Sequence, residues 1–210
     1  MADWKTELAP FYEQAKRMLG ATPQPVTTPS DEVIKQVAAH FDVAATYRPT
    51  PVGVYFGESG KEAPDPYFGG IGPVRSGCTG CGGCMVGCRF NAKNTLDRNY
   101  LYLAEQAGAE VIPDTTVVDV TPRSGGGYTI EMERAGAWVR KQPRTLTADQ
   151  VVFSAGALGT SRLLIDLRQR GSLPNLSPRV GHNARTNSEA ILGATSRHSN
   201  IDYSEGIAIT

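Results

Sequence analysis

The chain has 210 residues, enough for one large domain or two small ones with a real hydrophobic core. Its 21 Lys and Arg balance 21 Asp and Glu, so no global field recruits nucleic acid or an acidic membrane surface. The longest apolar run, around Val151–Phe153, is far short of a membrane span, and Met1-Ala2-Asp3-Trp4-Lys5 lacks the apolar core of a signal peptide. A cytoplasmic protein is the expectation.

Trp4, Leu8, Phe11, Tyr12, Ala15, Met18 and Leu19 recur at helical spacing, which predicts an amphipathic helix over 4–19 stopped by Gly20. Residues 21–29 read as a Pro/Thr linker. Ser30 is the expected N-cap of a second helix, with Asp31 and Glu32 in its first turn favoured by the helix dipole. That helix runs to about Phe41 through Val33, Ile34, Val37 and Ala38. Residues 47–75, rich in Pro and Gly, read as an ordered loop. Leu96, Tyr100, Leu101, Leu103 and Ala104 predict a helix over 94–107 capped by Gly108. Short strands are expected at 110–112, 117–120, 128–132 and 137–140, with Ser124-Gly125-Gly126-Gly127 as a hairpin turn. Val151–Phe153 is then expected as a buried strand that runs through Ser154-Ala155-Gly156 into a helix over 160–170, ended by Gly171. This order argues for a mixed α/β fold with a parallel element.

The sharpest chemical signal is Cys78-x2-Cys81-x2-Cys84-x3-Cys88, set among five glycines. Thiolates three apart on a flexible loop can converge on one metal centre, and this is the spacing of a bacterial ferredoxin. In ferredoxins of that spacing, however, the fourth Cys ligates a second cluster, and the first cluster needs a remote Cys, usually followed by Pro. Here Arg89 follows Cys88, and the chain has no other Cys. A 4Fe-4S cluster, a zinc ion, a disulfide and reduced, apolar-packing thiols all stay open. An iron–sulfur electron-transfer module is therefore the rival function.

The second signal is the strand-to-helix turn Ser154-Ala155-Gly156. Small residues there let backbone approach a ligand, and the helix N-terminus offers free N–H groups. No GxGxxG follows a strand anywhere; Gly69-Gly70-Ile71-Gly72-Pro73 follows no strand and precedes no helix.

The stretch Asn91-Ala92-Lys93-Asn94-Thr95-Leu96-Asp97-Arg98-Asn99-Tyr100-Leu101 resembles the cholesterol-oxidase branch of the glucose–methanol–choline (GMC) oxidoreductases. The likeness continues through Gly126-Gly127-Tyr128, Ala155-Gly156-Ala157-Leu158-Gly159-Thr160 and Gly171-Ser172-Leu173-Pro174-Asn175-Leu176, in family order. Gly156 to Leu164 fits the first half of the second family signature. Leu167-Arg168 stands where the family usually shows Ser-Gly, a departure common in this branch.

The resemblance implies an interior piece of an FAD-dependent enzyme acting on the CH–OH group of an alcohol or sterol, inactive alone. Residues 93–184 would be the middle of the FAD domain, a partial FAD/NAD(P)-binding-like fold. Residues 1–92 would be the substrate side and lid with its Cys-rich loop. Residues 185–210, with a strand near Thr186, would start the sheet of an α+β substrate domain. Val117 matches the position whose backbone meets the adenine; Ser154, Ala155 and Gly156 match the turn beside the phosphate and ribityl chain. The family's catalytic His and Asn would lie beyond Thr210, and its GxGxxG before Met1. His40, His182 and His198 match no catalytic position, so no catalytic residue is assigned. In the whole enzyme a base would take the hydroxyl proton while hydride passes to the flavin. The electron acceptor is left open, and a sterol substrate would bring peripheral membrane contact.

Overall fold

The computed structural model describes residues 2–187, 189–191, 193–197 and 200–207. The chain folds as two compact units, one of residues 1–110 and 195–210 and one of residues 111–194, in a mixed α/β arrangement.

The first unit opens with α1 (Trp4–Leu19), where the apolar period placed it. Asp3 caps its start by accepting from the Thr6 N–H, and Gly20 closes it in the left-handed region. No residue of α1 is buried; its apolar stripe, Trp4, Phe11 and Tyr12 included, faces solvent. The linker holds a two-residue strand, β1 (Thr22–Pro23), paired antiparallel with β2 (Pro51–Val52). The second helix, α2 (Pro29–His40), is capped by Thr28, not by Ser30 as the sequence suggests. Pro29 takes the first helical position, where its missing N–H costs nothing, and Thr28 and Asp31 close a capping box. Asp31 is buried and accepts from Gln24 Nε2 (2.7 Å), the Thr28 N–H (2.7 Å), Thr28 Oγ1 (2.8 Å) and the Tyr47 hydroxyl (3.0 Å).

The Pro/Gly-rich loop is ordered by a second carboxylate. Asp65 accepts from the N–H groups of Tyr67, Phe68, Gly70 and Gly72, so the backbone folds around one side chain. Flanking that loop, β3 (Glu62–Ala63) pairs antiparallel with β4 (Arg75–Ser76). The expected helix over 94–107 divides into a 3₁₀ turn, Leu96–Arg98, and α3 (Tyr100–Gln106). The break is at Asn99, which leaves helical backbone (φ −130°, ψ −98°) and turns its buried side chain to cap α3. No strand forms at 110–112.

The second unit is an antiparallel meander with sheet order β5-β6-β7: β5 (Thr115–Pro122), β6 (Tyr128–Arg134) and β7 (Arg144–Ala148). The glycine hairpin lies where the sequence places it. The third strand does not: Ala137–Arg140 is irregular, bent at Trp138-Val139, with Trp138 95% exposed, and the ladder resumes at Arg144. There Thr145, Leu146 and Thr147 oppose Glu131, Ile130 and Thr129, an alternation that outweighs the β-propensity of Trp138-Val139. A bulge at Val118 separates the Val117 and Asp119 pairs. Helix α4 (Gly156–Gln169) begins four residues earlier than expected. Among the described residues, Val120, Met132 and Leu167 are the buried apolar residues of this unit.

Val151–Phe153 is not a buried strand. It joins no ladder among the described residues, and Val152 is 84% exposed, because no neighbouring strand supplies hydrogen-bond partners. The expected parallel element reduces to two isolated bridges, Ser59 with Gly77 and Cys81 with Gly206; every named ladder is antiparallel. Residues 184–187 carry no strand.

Candidate functional site: an open cleft and a cysteine loop

Within the second unit, the sheet face, the extended segment before α4 and α4 itself enclose an open cleft of about 980 Å³. Val117, Ser154 and Ala155 line it together, although Val117 and Ser154 are 37 positions apart in the chain. Gly156 does not line it. Gly156 opens α4 at φ +71°, and a Cβ built there would meet nothing within 4 Å. The turn therefore needs glycine for its left-handed backbone, not for space. Replacing Gly156 by Ala or Val should cost about 1–2 kcal/mol of this unit's stability through backbone strain. Urea unfolding of each variant, beside an Arg140→Ala control that changes nothing, measures it. Equal stability of Gly156→Val and the parent would remove this account of the turn.

Sequence reasoning missed the charged wall of the cleft. Arg162 and Asp166 on α4 and Arg170 at its C-cap fall at i, i+4 and i+8, and all three line the cavity. The signal was present in that spacing. Arg170 donates through Nη2 to the Val118 carbonyl (2.9 Å), where the bulge frees it from the ladder. The Ala155 N–H donates to Thr160 Oγ1 (2.9 Å), so one of the free N–H groups expected at the start of α4 is already engaged. The cleft offers apolar walls, the exposed residues Ser154 and Ala155, and guanidinium groups suited to phosphate.

In the first unit the four cysteines line one cavity of about 10 Å³, room for about one water, together with Val54, Phe90 and Ala92. All four are free thiols. Burial pushes the Cys78 thiol up, against one backbone donor, the Gly80 N–H at 3.4 Å. Burial also acts on Cys88, but N–H groups led by those of Lys93 (3.5 Å) and Ala92 (3.3 Å) outweigh it and hold that thiol below its usual range. Among the described residues no three His, Cys, Asp or Glu side chains are arranged to hold a metal ion. Nothing in this geometry supports the iron–sulfur alternative or the zinc one.

His40 ends α2 in an edge-on contact with Phe41, and His182 lies in an exposed turn. His198 lies outside the described residues.

Residues 74–187 match the GMC oxidoreductase family, more than half of the chain. The chain belongs to that family. It is 51% identical over 217 aligned residues to a cholesterol oxidase of Mycobacterium tuberculosis, covering all of this chain and 38% of that protein. It is 46% identical to a cholesterol oxidase of Acinetobacter baumannii, over 99% of this chain and 39% of the other. An uncharacterized GMC-type oxidoreductase of M. tuberculosis is 36% identical over 51% of this chain and 16% of its own length. The chain thus spans less than two-fifths of the length of the cholesterol oxidases it matches.

Proposed function

We propose that this chain supplies part of the flavin-binding body of an FAD-dependent oxidoreductase that acts on the CH–OH group of a sterol or related alcohol. The observation that carries this reading is the cleft: Val117, Ser154 and Ala155 meet on one cavity within the family-matched residues. Residues 93–184 then belong to the FAD domain, residues 1–92 to the substrate side and lid, and residues 185–210 to the substrate sheet. Cytoplasmic location, with peripheral contact to the membrane holding the sterol, goes with the same reading. No helix among the described residues is long and apolar enough to cross a membrane.

The residues present fit the cofactor's chemistry. Val117 would offer a backbone edge to adenine, and Ser154 and Ala155 line the same cleft. Arg162 lines the same wall and can meet pyrophosphate charge. When bound, FAD accepts the hydride. The chain's own residues hold and orient the cofactor.

The strand–loop–helix with GxGxxG that makes most pyrophosphate contacts in dinucleotide folds is not in this sequence. The chain by itself should therefore retain no flavin through equilibrium dialysis against micromolar FAD; sub-micromolar binding would contradict this. The functional reading is tested by a chimera in which this chain replaces the aligned segment of the M. tuberculosis cholesterol oxidase. The expected product is yellow and reduces its flavin when a sterol is added. A folded but colourless chimera would overturn the reading.

A further inference from the structure

The cysteine loop is the one sequence motif that the flavin reading leaves without a role. We propose that Cys81 and Cys84 form a reversible thiol–disulfide pair, the point at which a peroxide oxidises this chain.

The four sulfur-bearing residues are not equivalent. Cys78 and Cys88 have their sulfurs engaged by backbone N–H groups, of Gly80 and of Ala92 and Lys93. Cys81 and Cys84 have no hydrogen bond to sulfur among the described residues, and Cys81 is the exposed member of the set. The chain reverses at Gly82, and the 3₁₀ turn Gly83–Val86 follows, with Cys84 as its second residue. Cys81 Sγ lies over that turn: a Cβ on Gly83 would sit 3.5 Å from it. An exposed sulfur therefore faces the turn that carries a second free thiol, and both line the same cavity.

The chemistry balances. The Cys81 thiol attacks a peroxide oxygen, the O–O bond breaks, and sulfenic acid and water form. The Cys84 thiol then displaces the hydroxyl, giving an S–S bond and a second water. Two thiols lose two electrons and two protons, and the peroxide takes them. The loop also holds a distant piece of the chain. Gly82 N–H donates to the Gly206 carbonyl (2.9 Å) and Gly206 N–H to the Gly80 carbonyl (2.6 Å). Ser204 O occupies the space that a Cβ on Gly82 would need. Closing the Cys81–Cys84 ring thus acts on the segment that grips residues 204–206.

The test uses the purified, fully reduced chain and hydrogen peroxide. After oxidation, thiol labelling under denaturing conditions should fall from four groups per chain to two and return to four with dithiothreitol. The tryptic peptide of residues 76–89 should lose two hydrogens, and its fragmentation should place the bond between Cys81 and Cys84. Cys81→Ser and Cys84→Ser should each abolish the disulfide, while Cys78→Ser and Cys88→Ser keep it. A bond located elsewhere in the wild-type peptide, or persisting in Cys81→Ser, overturns the proposal. So does overoxidation as the sole product, or iron or zinc retained by the purified chain with its thiols unlabelled. The wild-type fragmentation needs no variant, so misfolding of a variant cannot mask the result.

Discussion

Arg75→Ala should be among the most damaging single changes in the first unit, costing about 3–4 kcal/mol through a cavity and a stranded buried acceptor. Arg75 is wholly buried on β4, with its guanidinium 5.8 Å from the Tyr67 ring centre. Its Nη2 donates to Asn94 Oδ1 and to the Arg98 carbonyl (2.6 Å), tying β4 to the Asn91–Leu101 stretch that carries the family resemblance. Asn94 in turn donates to the Met18 carbonyl (3.2 Å) at the end of α1, so one side chain anchors three segments. The Nε and Nη1 of Arg75 find no hydrogen-bond partner among the described residues, so part of the desolvation cost of the charge is not recovered. Arg75→Met, which keeps volume and removes the charge, should therefore lose roughly half as much as Ala. Chemical denaturation followed by tryptophan fluorescence compares them. Equal losses for Met and Ala would mean that the hydrogen bonds, and not the filled volume, carry the effect.

The second large effect is expected at Asp31, and it depends on pH. Burial alone would raise this carboxyl, but the Thr28 N–H, the Thr28 hydroxyl, the Tyr47 hydroxyl and the Lys35 charge outweigh burial and hold it below the usual carboxylate range. A carboxyl whose pKa is lower folded than unfolded contributes fully above the unfolded value, about 3.9. The contribution fades as pH falls through the folded value. Asp31→Ala should cost about 3 kcal/mol at neutral pH, given several charge-assisted hydrogen bonds worth about 1.5–3 kcal/mol each before compensation. Below about pH 4 the gap between parent and variant should narrow. Unfolding curves at several pH values test this. A gap that stays constant down to pH 2 would show that Asp31 acts by packing alone.

Local signals were readable wherever neighbours along the chain decide the outcome. The apolar period of α1, the left-handed stop at Gly20, the glycine hairpin between β5 and β6 and the exit at Gly171 need no distant partner. Where two local rules compete, propensity misleads. Ser30 looks like a cap, but Pro29 fits only the first helical position, which passes the cap to Thr28. Trp138-Val139 reads as strand, yet β7 forms at Arg144–Ala148, because pairing opposite β6 depends on register.

By itself the sequence determined the family, through ordered landmarks from Asn91 to Leu176, and the mixed α/β class, through alternating helical and two-residue periods. It also singled out the residues with chemical potential: the four thiols and the small residues around the start of α4. Only the tertiary structure decided their arrangement. Val117 shares a cleft with Ser154 and Ala155 because the meander brings β5 under α4, a contact between residues far apart in the chain. The same long-range packing puts Arg162 and Arg170 on the cleft wall and leaves Gly156 off it. The cysteine spacing allows a metal centre, a disulfide or packed thiols alike. Which sulfurs are tied to backbone N–H and which stand free depends on how Ala92, Lys93 and residues 204–206 fold back on the loop. Such contacts form between segments whose separation along the chain leaves no periodic trace in the sequence.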